Sequence, residues 1–420
     1  MRKHAALALA LCLAVTAGRL SGQTYRTFDD DYKGIQARTG FLMGPIKMVP
    51  SLLAANIGYD SNVLYRTAED DPVSDTVATI APRIQAFWLL GRSVILSFTD
   101  VPAYYHYVHE ESLRTLSNSA VPAARILLGR LSLSGDYHVL NDQKRGSSEI
   151  SEPVLNTQEG WNARVFFETP RGTALGLSGS ADDFRFRTAG SELPFDSYAR
   201  TLDRRERTLA LEFYYRVFNR SHLFVTAGAS DYVFLHPTSA WRDADSQQVY
   251  GGIRFPLAGQ AARGTVALGY KRFVPRTAER EEFSGLVADT DVVFRTGRFG
   301  FTVAYKRDNS FSYIDTAYYF IEDRFRTGLT FYVFQFLRLE AGWQAATWSY
   351  PEPYTVLIDG QPVVIEDRRD QVRIFTAGLA VRIAGSVGFG VNYNFYRRRS
   401  NAPGFDIDRN YLGASLAYDF

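Results

Sequence analysis

Charged side chains do chemistry together only when the fold puts them on one face. Arg83, Arg125, Arg164, Arg216, Arg254, Lys271, Arg324, Arg326, Arg338 and Arg382 fall on the polar side of segments that alternate with a period of two. Asp136, Glu168, Glu212, Asp289, Asp291, Glu322 and Glu340 fall on the same side. Around a column of water such side chains set ion preference, and their modest basic excess predicts a slight preference for anions. The competing reading is structural: opposite charges pair across strands and stiffen a wall.

Signatures of catalysis are missing, and the chain reads as a non-enzyme. The histidines beyond the first residues, His106, His109, His138, His222 and His236, are scattered, and no H-E-x-x-H occurs. His106 and His109 are an odd number of positions apart, so a strand sends them to opposite faces and a shared metal is not expected. Gly176-Leu177-Ser178-Gly179 resembles a nucleophile elbow only in part and lies within a strand pattern, so Ser178 is read as wall. Nothing calls for a cofactor. A net charge of +2 is too small to imply nucleic-acid binding.

The elements that carry these residues read as strands. In 208–217, Leu209, Leu211, Phe213, Tyr215 and Val217 oppose Thr208, Ala210, Glu212, Tyr214 and Arg216; 337–345 and 386–395 alternate in the same way. Short connections are expected at 90–93, 128–131, 168–173, 217–222, 256–263, 295–298, 333–336 and 383–386, most with Gly, Pro or Asn. Longer, charged ones are expected at 59–75, 108–118, 141–157, 187–204, 235–246, 273–281, 308–316, 350–370 and 398–406. The two kinds alternate throughout.

Eight short turns and nine long loops separate eighteen strands, with sixteen as the alternative if the first hairpin is misread. An even count puts both ends of the barrel on the side of the short turns. The fold class that follows is all-β: a transmembrane, antiparallel, up-and-down β-barrel over 48–420, with short periplasmic turns and long extracellular loops. A composition of 30 Phe, 25 Tyr and 5 Trp suits the aromatic girdles of such a barrel. A soluble sandwich also alternates, but its connections do not segregate so regularly by length. Pro82, Pro102 and Pro122 interrupt nominal strands and predict bulges or strand ends. By length, 187–204 and 350–370 are the loops expected to constrict the lumen.

Residues 1–22 read as a secretory signal, with Met1-Arg2-Lys3-His4 before an apolar stretch over 5–17 that is too short to span a bilayer. Cys12, the only cysteine, lies inside it, so the mature chain would hold no disulfide. Residues 23–47, with Asp29, Asp30 and Asp31, are polar and read as a flexible periplasmic lead-in; a short plug or a partner-docking segment is the less favoured alternative. At the other end, Leu412, Leu416, Tyr418 and Phe420 share a face with Ala414.

That last strand resembles the closing strand of bacterial outer-membrane β-barrels. The resemblance implies that Leu412, Leu416, Tyr418 and Phe420 form the signal read by the barrel-assembly machinery. Near the start the order Gly34-Ile35, Gly40-Phe41-Leu42, Pro50-Ser51-Leu52, Gly58-Tyr59-Asp60-Ser61-Asn62-Val63, Asp75-Thr76, Ala81-Pro82-Arg83 resembles the family called β-barrel porin 2. That family includes proteins linked to exopolysaccharide export.

The resemblance implies an outer-membrane location and contact with outer-membrane lipid, with lipopolysaccharide and with polysaccharide-export components. It implies a pore for small solutes or a polysaccharide outlet, with Tyr214 and Tyr250 stacking on sugar rings. The alternative is a structural or adhesion barrel with a closed lumen, whose charged loops, such as 366–370, bind a surface partner.

Overall fold

The structure is a computed structural model that describes residues 28–145, 153–188, 201–218, 221–255, 261–277, 280–313, 317–358, 361–384 and 386–419. The expected signal segment and Phe420 lie outside the described residues, as do most of the loop after Thr188 and all of the connection between Arg145 and Pro153. A helix, α1 (Phe28–Gln36), precedes a short hairpin strand, β1 (Phe41–Met43). The wall begins with β2 (Ile46–Asp60), β3 (Asp75–Leu90), β4 (Val94–Asp100), β5 (Ala103–Tyr107), β6 (Thr115–Leu128) and β7 (Leu131–Arg145). It continues with β8 (Pro153–Glu168), β9 (Ala174–Thr188), β10 (Arg204–Val217), β11 (Ser221–Phe234), β12 (Ala244–Phe255) and β13 (Ala262–Pro275). Next come β14 (Phe283–Thr296), β15 (Phe299–Phe311), β16 (Tyr319–Tyr332) and β17 (Leu337–Ser349). A separate hairpin, β18 (Tyr354–Ile358) and β19 (Gln361–Ile365), interrupts the wall before β20 (Arg369–Ala384), β21 (Val387–Ser400) and β22 (Ile407–Asp419).

Each wall strand pairs antiparallel with its neighbours, and β22 returns to pair with β2 from Asp60↔Tyr411 to Ser51↔Asp419. With β4 and β5 as two halves of one strand, the result is a closed barrel of eighteen strands. Closure leaves no long edge with unpaired backbone groups. The short turns share one end with the start of β2 and the end of β22, and the long loops share the other. Two of the short turns contain only Gly129-Arg130 and Gly297-Arg298, and both glycines have positive φ (64° and 55°). That is the backbone a glycine-first two-residue hairpin demands.

The prolines sit where pairing breaks. Pro82 lies opposite a bulge between Leu52 and Ala54, Pro102 separates β4 from β5, and Pro122 falls where the β6–β7 register is interrupted. A proline cannot donate to the ladder, so it settles at such irregularities.

Register fixes which side chains face inward. On β10, Leu209, Leu211, Phe213 and Tyr215 are exposed on the outer surface, while Ala210, Glu212 and Tyr214 are buried within. The same alternation puts Ile84, Trp88, Leu339, Trp343, Phe389, Val391, Leu412 and Leu416 on the outside. Exposed apolar residues on this scale are uncommon in a protein bathed by water and suit contact with lipid.

Candidate channel lumen

One stretch of inner wall is a packed, hydrogen-bonded layer. Glu212 on β10 is held by Arg164 on β8, whose Nε donates to Oε1 at 3.0 Å and whose Nη2 donates to Oε2. The Ser178 hydroxyl donates to Oε1 at 2.8 Å, and the Tyr214 hydroxyl to Oε2 at 2.8 Å. Arg254 on β12 donates to the Tyr214 oxygen at 3.2 Å. Aromatic faces cover the cations: Arg164 lies 4.5 Å from the Phe166 ring centre, and Arg254 lies 5.3 and 5.2 Å from those of Tyr214 and Phe224. Every polar atom of the Glu212 carboxylate therefore has a partner, which is the condition for burying a charge.

The remaining candidate residues are also distributed on the inner face. Lys271 pairs with Asp308 at 2.8 Å, Arg324 with Glu322 at 3.4 Å, Arg338 with Glu340 at 3.1 Å and Arg216 with Glu168 at 4.0 Å. Arg326 reaches Asp291 two strands away at 3.1 Å. Asp289 faces Lys306 in register, Arg83 faces Ser51, and Arg382, opposite Gly388 near the short-turn end, is exposed. The Arg326 and Asp291 side chains point inward yet are 43% and 54% exposed. Inward groups can be that open only if they border space inside the barrel.

Helix α1 lies inside the short-turn end. Its Phe28 and Ile35 are buried against Phe87 and Ile95, which share the inner face of β3 and β4 with Gln85 and Ser97. Asp31 pairs with Arg125 of β6, and Arg38 Nη1 donates to the Gln85 amide oxygen at 2.8 Å. Lys47 Nζ donates to the terminal carbonyls of Ile35 and Gln36 at 3.1 and 2.9 Å, satisfying acceptors that a helix end leaves open.

At the other end the loops interlock. Arg242, in the β11–β12 loop, is fully buried; it donates to the Ser312 carbonyl at 2.6 Å and stacks 4.6 Å from the Trp241 ring centre. Tyr318, in the β15–β16 loop, donates to the carbonyls of Arg242 at 2.9 Å and Asp243 at 3.1 Å, and burial pushes its phenol pKa up. Glu352 receives Arg280 at 3.0 Å and the Tyr318 backbone N–H at 2.9 Å. Arg368 sits 4.3 Å from the ring centre of Tyr350 and 3.7 Å from that of Phe405, with Nη2 donating to Asp370 at 2.7 Å.

Phe311 and Tyr313 lean over the lumen from the end of β15. Phe311 packs edge-on to Phe234 and Phe273, and Tyr313 packs edge-on to Phe186 on the far side of β10. This inward segment was expected to be an ordinary long loop. Of the two loops singled out on length, the one after Ser349 contains the β18–β19 hairpin, with Arg368 stacked on Tyr350 at its base, and 189–200 lies outside the described residues.

Further differences from the sequence reading have a local cause. A loop was expected from 308, but β15 runs on to Phe311 because Asp308 faces inward and meets Lys271. Tyr214 and Tyr250 are inward as expected, but 1% and 8% exposed, so neither offers an open face for a sugar ring. Their rings are used up by packing against Phe166, Phe224 and the neighbouring wall. Sequence reasoning missed Asp31, Asp308 and the His138 ring, whose Nε2 lies 2.6 Å from Asp182. Strand parity could have found the last two; no local signal marks Asp31 as a partner of Arg125.

The geometry defines a large closed barrel with a charged inner wall. Among solved structures, OccK2 (OpdF) of Pseudomonas aeruginosa is 13% identical with a TM-score of 0.50, covering 91% of this chain and 100% of that one. OpdK of Pseudomonas aeruginosa, solved with vanillate, is 12% identical with a TM-score of 0.50, covering 89% of this chain and 99% of that one. At these identities the likeness is one of fold. No family model and no curated protein matches the chain, so the β-barrel porin 2 resemblance rests on its short motifs alone.

Proposed function

We propose that the chain is a porin-like channel of the outer membrane that passes small solutes. The observation that carries this reading is the half-exposed Asp291–Arg326 pair, which borders open space on the inner face of a closed barrel. Barrels of sixteen to eighteen strands typically leave an aqueous passage. The apolar outer surface suits the lipid side of a membrane-spanning barrel. In fold the chain resembles OccK2 and OpdK, the latter solved with vanillate, which is in keeping with a small-solute cargo. A polysaccharide outlet has no comparable support.

The wall charges have two roles in this reading. Buried pairs such as Arg164–Glu212 shape the passage, and open ones such as Arg326–Asp291 meet the solute. Helix α1 narrows the short-turn end, and Phe311 and Tyr313 narrow the other.

Reconstitution of the purified protein in a planar bilayer tests the proposal. Stable ohmic steps and liposome swelling are expected; absence of both overturns it. The second reading, a structural barrel with a closed lumen, draws on the interlocked Arg242, Tyr318, Glu352 and Arg368 loops. It predicts a silent bilayer.

A further inference from the structure

On the outer surface, just above the apolar belt, the chain handles like charges in two ways. Asp231 and Asp245 lie directly opposite each other on β11 and β12, a repulsive arrangement. Arg276 resolves it: Nη2 donates to Asp231 and, at 2.9 Å, to Asp245, and Nε donates to Asp245 at 3.0 Å. Elsewhere on this rim an outward arginine faces a carboxylate in register, as Arg205 does Asp183 and Arg307 does Asp323.

On β20 and β21 the arrangement is reversed and only partly compensated. Arg373 lies directly opposite Arg397, immediately above the aligned pair Phe375↔Phe395 that ends the apolar belt. Arg399 and Arg369 continue the basic patch toward the long-loop end. Asp408 is shared by Arg397 at 2.9 Å and Arg399 at 2.6 Å, with Asp406 adding a 3.7 Å contact to Arg399. Arg373 is exposed and makes no ion pair among the described residues. On its other side it faces Ala345, with Thr347 beyond, short side chains that leave room beside the guanidinium.

We propose that Arg373 and Arg397, flanked by Arg369 and Arg399, bind the phosphate of an outer-leaflet glycolipid, the class to which lipopolysaccharide belongs. The chemistry is an anion bridging two guanidiniums, as Arg276 bridges two carboxylates, and arginine is suited to phosphate through paired N–H donors. Height selects the lipid source: the phosphates of a lipid whose chains cover Phe375 and Phe395 sit at the level of Arg373 and Arg397. This site rests on the outer-membrane reading above.

The test uses the folded full chain in detergent, titrated with bisphosphorylated lipid A, with its dephosphorylated counterpart and with inorganic phosphate, and read by native mass spectrometry. The wild type should retain the phosphorylated lipid preferentially. The R373Q/R397Q variant should lose about thirtyfold in retention, and R373K/R397K should keep most of it. The single variant R373Q covers the case in which the double variant fails to fold.

Equal retention of phosphorylated and dephosphorylated lipid by the wild type would overturn the site. So would retention in R373Q equal to the wild type, or displacement of the lipid by an equal concentration of inorganic phosphate. Bilayer conductance on the same preparation separates the two proposals. A silent bilayer with intact lipid discrimination would count against the channel, and normal conductance without discrimination against the site.

Discussion

Two stretches of the inner wall carry the same chemistry, an arginine and a carboxylate, and treat it in opposite ways. Arg164 and Glu212 are 15% and 5% exposed, roofed by Phe166, Tyr214 and Phe224, and bound into a network with Ser178 and Arg254. Arg326 and Asp291 meet through one 3.1 Å contact and remain half open. The difference teaches that strand parity alone does not distinguish a charge that builds the wall from one that faces the passage. What separates them is the neighbours on the same wall: bulky rings beside Glu212, and small residues such as Gly328 and Ala304 beside Arg326.

The comparison breaks first at Glu212. In Glu212→Ala the Arg164 guanidinium stays buried without its carboxylate, and a loss of about 3–5 kcal/mol is expected. The midpoint of denaturant unfolding of the detergent-folded barrel reads it, and a shift no larger than that of Asp291→Asn would break the contrast. Replacing both partners, Arg164→Met with Glu212→Leu, should cost less than the single change, under about 2 kcal/mol, because no unpaired buried charge remains. That result would sharpen the idea that the penalty comes from the orphaned cation.

A third variant probes the helix in the lumen. Asp31→Ala removes a partly exposed pair with Arg125, so stability should fall by about 1 kcal/mol or less. Single-channel conductance should nonetheless rise or become noisier as α1 loosens; an unchanged trace would show that the helix does not obstruct flow. The smallest stability effect belongs to Asp291→Asn, within about 0.5 kcal/mol. Its signature is instead electrical: the reversal potential in a salt gradient should move toward anions, and no movement would remove Asp291 from the passage.

Much of this fold was legible in the chain because a strand repeats with period two and a barrel repeats its strands. Leu209 to Tyr215 on one side and Ala210 to Tyr214 on the other follow from the alternation alone, and the regular alternation of short and long connections yields the strand count. Gly129-Arg130 and Gly297-Arg298 marked their turns for a local reason, the need for positive φ. The site was legible only as a face. Arg164 and Glu212 were both placed inward, but their pairing spans the intervening strand β9, and Asp31 meets Arg125 across 94 positions of sequence.

The sequence by itself determined the periodicity, the turns and the side of the wall on which each charge stands, since these depend on neighbours within a few residues. Only the tertiary structure decided that Tyr214 is wall and not a stacking platform, that Phe311 and Tyr313 lean over the mouth, and that α1 lies within the lumen. Those outcomes depend on barrel closure, which brings distant segments to contact distance and lets packing choose which charges are buried and which stay wet.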